Sequence, residues 1–154
     1  MWKKLRIFPL FLVLTLCFSS CTQKPQLPEK TDFSAYAEVI SVTQNADDTY
    51  TLQVKTALKN NAEQDWLLYG NPACWNEVFI NDRGENKDLP LGSYTLKSGE
   101  ELIEEKTVVL SKEEAEHGTL HTETNFYIVY GKDKKQNYTV KSDPILLSEV
   151  KNSN

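Results

Sequence analysis

Between positions 50 and 59 the chain alternates without interruption. Tyr50, Leu52, Val54, Thr56 and Leu58 take one set of positions, and Thr51, Gln53, Lys55, Ala57 and Lys59 take the other. A period of two sustained this long fits a β-strand with one face in a core and the other in water, and a helix cannot keep it. Residues 36–43 alternate in the same way. The cluster Asn45-Ala46-Asp47-Asp48 between the two segments is rich in turn formers, so the pair reads as neighbouring strands.

The rest of the body repeats this grammar. Asn60-Asn61 ends the second strand. A short apolar run over residues 66–69 follows, and Gly70-Asn71-Pro72 closes it. Residues 77–80 form another strand, stopped by Asn81-Asp82-Arg83-Gly84. Ser98-Gly99-Glu100 leads into a longer strand over 102–110, and residues 125–130 give one more. The polar stretch 131–136 reads as a hairpin loop before the chain returns at 138–141, and Pro144 marks an edge or a bulge in the last segment. One helix is expected near 111–117, because Ser111 with Glu114 three residues on forms a capping box and Gly118 is a natural stop. Seven or eight short strands with turn signals every eight to twelve residues define an all-β domain. An immunoglobulin-like antiparallel β-sandwich is the leading architecture, and a small closed barrel is the alternative.

The amino terminus is of another kind. Lys3, Lys4 and Arg6 precede an almost wholly apolar stretch over residues 7–18, and Ser19-Ser20-Cys21 follows. A basic start, a short apolar centre and small residues before a cleavage point are the parts of an export signal. A bilayer span needs about 20 apolar residues, more than this stretch offers, and Pro9 sits near its start. Of the 17 basic residues three lie in this leader, so 14 remain against 22 acidic ones, and the net charge moves from -5 to about -8 once it is removed. A surface that acidic repels phosphate backbones, which makes nucleic acid a poor partner, and its overall charge disfavours anionic headgroups as well.

Phe18-Ser19-Ser20-Cys21 resembles the lipobox of bacterial lipoproteins, where a bulky apolar residue and two small ones precede the modified cysteine. The resemblance implies diacylglyceryl transfer to the Cys21 thiol, cleavage before Cys21, and an anchor on the outer side of the cell membrane. It divides the chain into a signal over 1–20, a tether over 21–33 that Pro25 and Pro28 stiffen, and a sandwich domain over 34–150. Asn45-Ala46-Asp47-Asp48, Asp82-Arg83-Gly84-Glu85 and Ser98-Gly99-Glu100, in that order between strands, resemble the turns of immunoglobulin-like accessory domains of bacterial surface lipoproteins and of an intracellular proteinase inhibitor from bacilli. Inhibition would require an exposed loop, and residues 70–73 or 82–90 would supply it.

Residues able to do chemistry are few. Cys74 is the thiol left free once Cys17 departs with the leader and Cys21 is modified. Its flanks, Pro72, Ala73, Trp75 and Asn76, hold nothing that would lower its pKa, so it reads as a small buried hydrophobe. His117 and His121 have a metal-binding spacing, but Gly118 breaks any helix that would align them, so no metal is expected. Glu100, Glu101, Glu104 and Glu105 open a strand, where alternation sends neighbours to opposite faces and spoils a paired-carboxylate site. No cofactor motif is present, and no catalytic residue is assigned. The aromatics are more informative. Phe126-Tyr127-Ile128-Val129-Tyr130 is apolar on both faces of its strand, so the strand is either covered on both sides, the favoured reading, or presents one face for docking. Tyr69, Trp75 and Tyr127 are the candidate binding residues. The expected role is a non-enzymatic, membrane-tethered binding or accessory module for a protein, peptide or cell-wall component, with a proteinase-inhibitor-like domain as the alternative.

Overall fold

The computed structural model describes residues 26–70, 75–84 and 92–151. Among these residues ten strands pair antiparallel into two sheets. The smaller sheet has the order β1-β2-β7, from β1 (Phe33–Gln44), β2 (Tyr50–Asn60) and β7 (Glu101–Leu110). The larger is built around β8 (Thr119–Tyr130). On one side β8 pairs with β9 (Lys134–Lys141) and β10 (Ile145–Leu146). On the other it pairs with β3 (Trp66–Gly70) and β4 (Glu77–Ile80), beyond which lie β6 (Gly92–Leu96) and β5 (Arg83–Gly84). The two sheets stay separate, so the architecture is a sandwich and not a closed barrel. Among the described residues ten strands replace the expected seven or eight: the two-residue β5 is too short to leave a periodic trace, and β6 over residues 92–96 is not among the expected segments.

The alternation of residues 50–59 becomes β2, whose inner positions Tyr50, Leu52, Val54 and Leu58 are buried. Facing them, β8 buries Leu120, Phe126 and Ile128. The core falls into two clusters along the strands. One gathers Tyr50, Leu52, Val54, Ile80, Leu110, Ala115, Leu120 and Leu147. The other holds Leu58, Leu68, Leu96, Val140, Trp75 and the ring set Phe33, Phe126 and Tyr138, with Phe33 edge-on to Phe126 at 5.0 Å. Between the clusters lie Thr56, Asn76, Thr122 and Thr124, all fully buried and hydrogen-bonded. Thr56 donates to the Glu104 carbonyl, Thr122 to the Glu77 carbonyl and Thr124 to Asn76, whose side-chain amide donates to the Leu102 carbonyl. Buried polar groups demand such partners, so this layer ties the sheets together at fixed positions.

The expected helix is present as α1 (Lys112–His117). The Glu114 amide donates to the Ser111 hydroxyl and the Ser111 amide to the Glu114 carboxylate, a complete capping box. Gly118 ends the helix, although its φ of -80° is one any residue adopts. The need for glycine is steric, because a Cβ there would stand 2.3 Å from the Glu114 carbonyl oxygen. A second short helix, α2 (Leu147–Lys151), closes the chain against α1.

Both edges of the smaller sheet are guarded. In β1 a bulge between Val39 and Ser41 breaks the ladder and turns Ile40 out to solvent. On β7 the inward-facing pair Glu104 and Lys106, 3.2 Å apart, would be trapped by any strand that docked there. Residues ahead of β1 also contact the sandwich. Leu27 packs on the aromatic cluster, Pro28 is buried, and its carbonyl accepts from the Tyr138 hydroxyl at 2.9 Å.

Candidate functional site

β8 is central in its sheet, yet among the described residues no layer covers its outer face, which corrects the expectation of a strand covered on both sides. Phe126 and Ile128 point inward and are buried, whereas Val129 points outward and is 47 % exposed. The register sets Tyr127 opposite Tyr69 of β3 on one flank and opposite Asn137 of β9 on the other. The two tyrosine rings stack with centroids 5.4 Å apart and planes 15° from parallel. Such cross-strand pairs fix each other's rotamers while leaving ring surface and hydroxyls available. The Lys135 ammonium lies 5.3 Å from the Tyr127 ring centre, a cation–π contact.

Leu67, two residues before Tyr69 on the same face, is 43 % exposed. Ser93 stands opposite Tyr69, and Thr95 opposite Leu67. The patch thus consists of two rings and two aliphatic side chains, bordered by hydroxyls, one amide and one ammonium. Farther along the face Glu123 carries an ion pair with Lys141 and accepts from Asn125. Burial pushes its carboxyl up, but these partners outweigh that and hold it below the usual range.

Trp75 does not join this surface. It is only 3 % exposed and lies in the core, its indole against Gly70, where a Cβ would come within 3.0 Å of the ring. The bare Gly70 backbone makes the space that the indole fills. Of the three candidate binding residues, the fold brings Tyr69 and Tyr127 together and withdraws Trp75. Lys135 was hidden because residues 131–136 read as a polar loop, whereas β9 already starts at Lys134. Lys135 alternates with the inward-facing Tyr138 set only once that start is known.

The remaining candidates are engaged elsewhere. His117 ends α1, and His121 stacks on Phe79 of β4 at 5.2 Å. No three His, Cys, Asp or Glu residues gather into a possible metal site among the described residues. Alternation separates the glutamates as expected. Glu101 faces outward and takes hydrogen bonds from Lys59 and Tyr36, which hold its carboxyl below the usual range. Glu104 faces inward, where its carboxylate accepts from the Asn76 backbone N–H, and so is not simply a solvated edge. Cys21, Cys74, the leader and most of residues 70–73 and 82–90 lie outside the described residues. Within the described residues no helix is long and apolar enough to cross a membrane.

No protein-family model matches the chain, and no curated protein does. Solved structures resemble it distantly. The Northeast Structural Genomics Consortium target SoR45 matches 75 % of this chain and 84 % of its own length, at 13 % identity and a TM-score of 0.42. YcdA of Bacillus subtilis, named as a candidate lipoprotein, matches 71 % of this chain at 17 % identity and a TM-score of 0.36, and this chain spans 36 % of its length. A protein from Archaeoglobus fulgidus matches 73 % of this chain and 94 % of its own, at 12 % identity and a TM-score of 0.30.

Proposed function

We propose that the chain is the precursor of an extracytoplasmic lipoprotein, lipidated on Cys21, whose β-sandwich is a non-enzymatic binding module. The support for the anchor is the order of basic start, apolar centre and Phe18-Ser19-Ser20-Cys21. Lipid chains add about 0.8 kcal/mol per buried CH₂, so two or more hold a protein that its acidic surface would not. The support for binding is the stacked Tyr69–Tyr127 pair on an open sheet face beside Leu67, Val129 and Lys135. Aromatic rings held in place offer contact area at little entropic cost. Groups that would do acid–base work are committed to structure: Glu101 to Lys59 and Tyr36, Glu114 to Arg83 and the helix cap, Glu123 to Lys141.

Mass spectrometry of the membrane fraction tests the anchor. A diacylglyceryl group on an amino-terminal Cys21 is expected, and Cys21→Ala should release the protein from the membrane. An unmodified mature terminus would reject the anchor. Crosslinking in intact envelope tests the face. Tyr69→Ala with Tyr127→Ala should remove a contact that the wild type makes, and an unchanged crosslinking pattern would reject the site.

A further inference from the structure

We propose that the surface met by the Tyr69–Tyr127 face is the anionic headgroup layer of the bilayer that carries the anchor, so that the sandwich lies on its larger sheet. This rests on the lipid-anchored, binding-face reading above and names the partner of that same face. The first argument is reach. Residues 21–26 span at most about 20 Å even when fully extended, and the chain becomes fixed at Leu27 and Pro28. That fixed point lies along β9, where Leu27, Pro28 and Lys30 line a groove with Gln136, Asn137, Tyr138 and Thr139. β9 is the strand that flanks Tyr127 with Asn137 and Lys135. The tether thus leaves the domain at the border of the patch.

The second argument is chemistry. Tyrosine, with an apolar body and a hydroxyl tip, is enriched at bilayer interfaces, and lysine extends its ammonium to phosphate from an apolar stem. Leu67 and Val129 supply aliphatic surface beside them, and the register neighbours Ser93, Thr95 and Asn137 bring no carboxylate. The turn beyond Val129 carries exposed Lys132 next to exposed Asp133, whereas Lys134, opposite Tyr130, takes the other side of the sheet. Among the described residues Lys132 and Lys135 make no ion pair, whereas Lys59, Arg83, Lys106 and Lys141 each face a carboxylate. The outer face of the smaller sheet offers the contrast. Ile40, Ile103 and Val109 are exposed there too, but Glu38, Glu101 and Glu105 stand among them and outnumber Lys55 and Lys59, whereas Glu77 and Glu123 on the outer face of the larger sheet lie farther along it, beyond the patch.

The overall negative charge does not decide the matter, because charges more than about 8 Å from the headgroups are largely screened at physiological salt. Nor must the face bind tightly. A short tether raises the effective concentration of the face at its own membrane into the millimolar range, so a contact too weak to recruit a free protein can still orient a tethered one.

Lysine footprinting of the purified, lipidated protein decides it, using a membrane-impermeant acylating reagent and mass spectrometry. On vesicles containing phosphatidylglycerol, Lys135 should be labelled about threefold less than in detergent, with Lys55 and Lys112 unchanged as internal references. High salt, phosphatidylcholine vesicles, or Tyr69→Ala with Tyr127→Ala should restore labelling. Equal labelling of Lys135 in detergent and on phosphatidylglycerol vesicles would overturn the proposal. The mass of the amino-terminal peptide in the same sample reads the anchor separately. A loss of protection with a Tyr127-dependent crosslink to an envelope protein would overturn the lipid partner while leaving the binding face standing.

Discussion

The Thr124 hydroxyl donates a 2.7 Å hydrogen bond to the side-chain carbonyl of Asn76, and neither residue is exposed at all. The bond joins β8 to the segment ahead of β4. Asn76 carries it on to the smaller sheet through its amide, which donates to the Leu102 carbonyl at 2.9 Å. Thr124 and Asn76 thereby hold the sheets in one alignment across a boundary where the apolar clusters do not meet.

Replacing Thr124 by Val keeps the volume and removes the donor. The Asn76 carbonyl is then left buried without its partner, which costs about 1–3 kcal/mol. Asn76→Ala strands both the Thr124 hydroxyl and the Leu102 carbonyl and should cost more, about 2–4 kcal/mol. The double variant should be less damaging than the two losses added, because the bond is broken once. Urea denaturation measures all three, and a Thr124→Val variant within about 0.5 kcal/mol of wild type would contradict the network.

That layer was not legible in the sequence, for a definable reason. Thr56, Thr122 and Thr124 obey the same alternation as Leu and Val, but threonine serves equally on a wet face, so the pattern gives no sign that the hydroxyls are buried. The hydrophobic neighbours were legible because Tyr50, Leu52, Val54 and Leu58 leave only one face to bury. The Ser111–Glu114 capping box was equally plain, since it depends on two residues in fixed local geometry. The outer patch was half legible. Tyr127 stood out in an aromatic strand, but a strand apolar on both sides does not tell whether a second layer covers it. Trp75 was misplaced because its burial depends on Gly70, five residues earlier, lying under the indole.

The cap of α1 has a pH signature. The Ser111 backbone amide, then Arg83 and the Ser111 hydroxyl, hold the Glu114 carboxyl below its ordinary value against the opposing effect of burial. A carboxylate with a depressed folded pKa contributes stability that is fully present above its unfolded pKa, about 4.3, and is lost as pH falls through the folded value. Glu114→Gln should therefore be less stable than wild type at neutral pH, and the urea midpoints of the two should converge in acid. A constant gap from neutral pH down to about pH 3 would show that the charge of Glu114 is not what matters.

The ordered end of the tether is open to truncation. A chain starting at Gln26 keeps Leu27 against Phe33 and the other rings, together with the Pro28–Tyr138 bond, and should be as stable as one starting at Thr22. A chain starting at Phe33 loses both the leucine burial and the acceptor of a buried phenol. A loss of about 2–4 kcal/mol is expected, comparable to removing a core leucine. Thermal melts of the three lengths check this, and equal stability for the shortest would mean that residues 27–32 only rest on the surface.

The tyrosine pair itself is measurable apart from any partner. Tyr69 and Tyr127 stack across neighbouring strands with little else above them, so their mutual contribution should appear in a double-mutant cycle. Alanine at either position removes the stack, and the coupling should be about 0.5–1.5 kcal/mol, the range for aromatic pairs. Lys135→Ala should take a smaller share, because its cation–π contact lies at an exposed site. A coupling at this level, with the fold retained in each variant, marks Tyr69 and Tyr127 as a pre-set surface whose loss can be read in binding without confusion with unfolding. A coupling indistinguishable from zero would mean that the rings are held by their strands alone, and Tyr127 would then have to be tested as a contact residue without Tyr69.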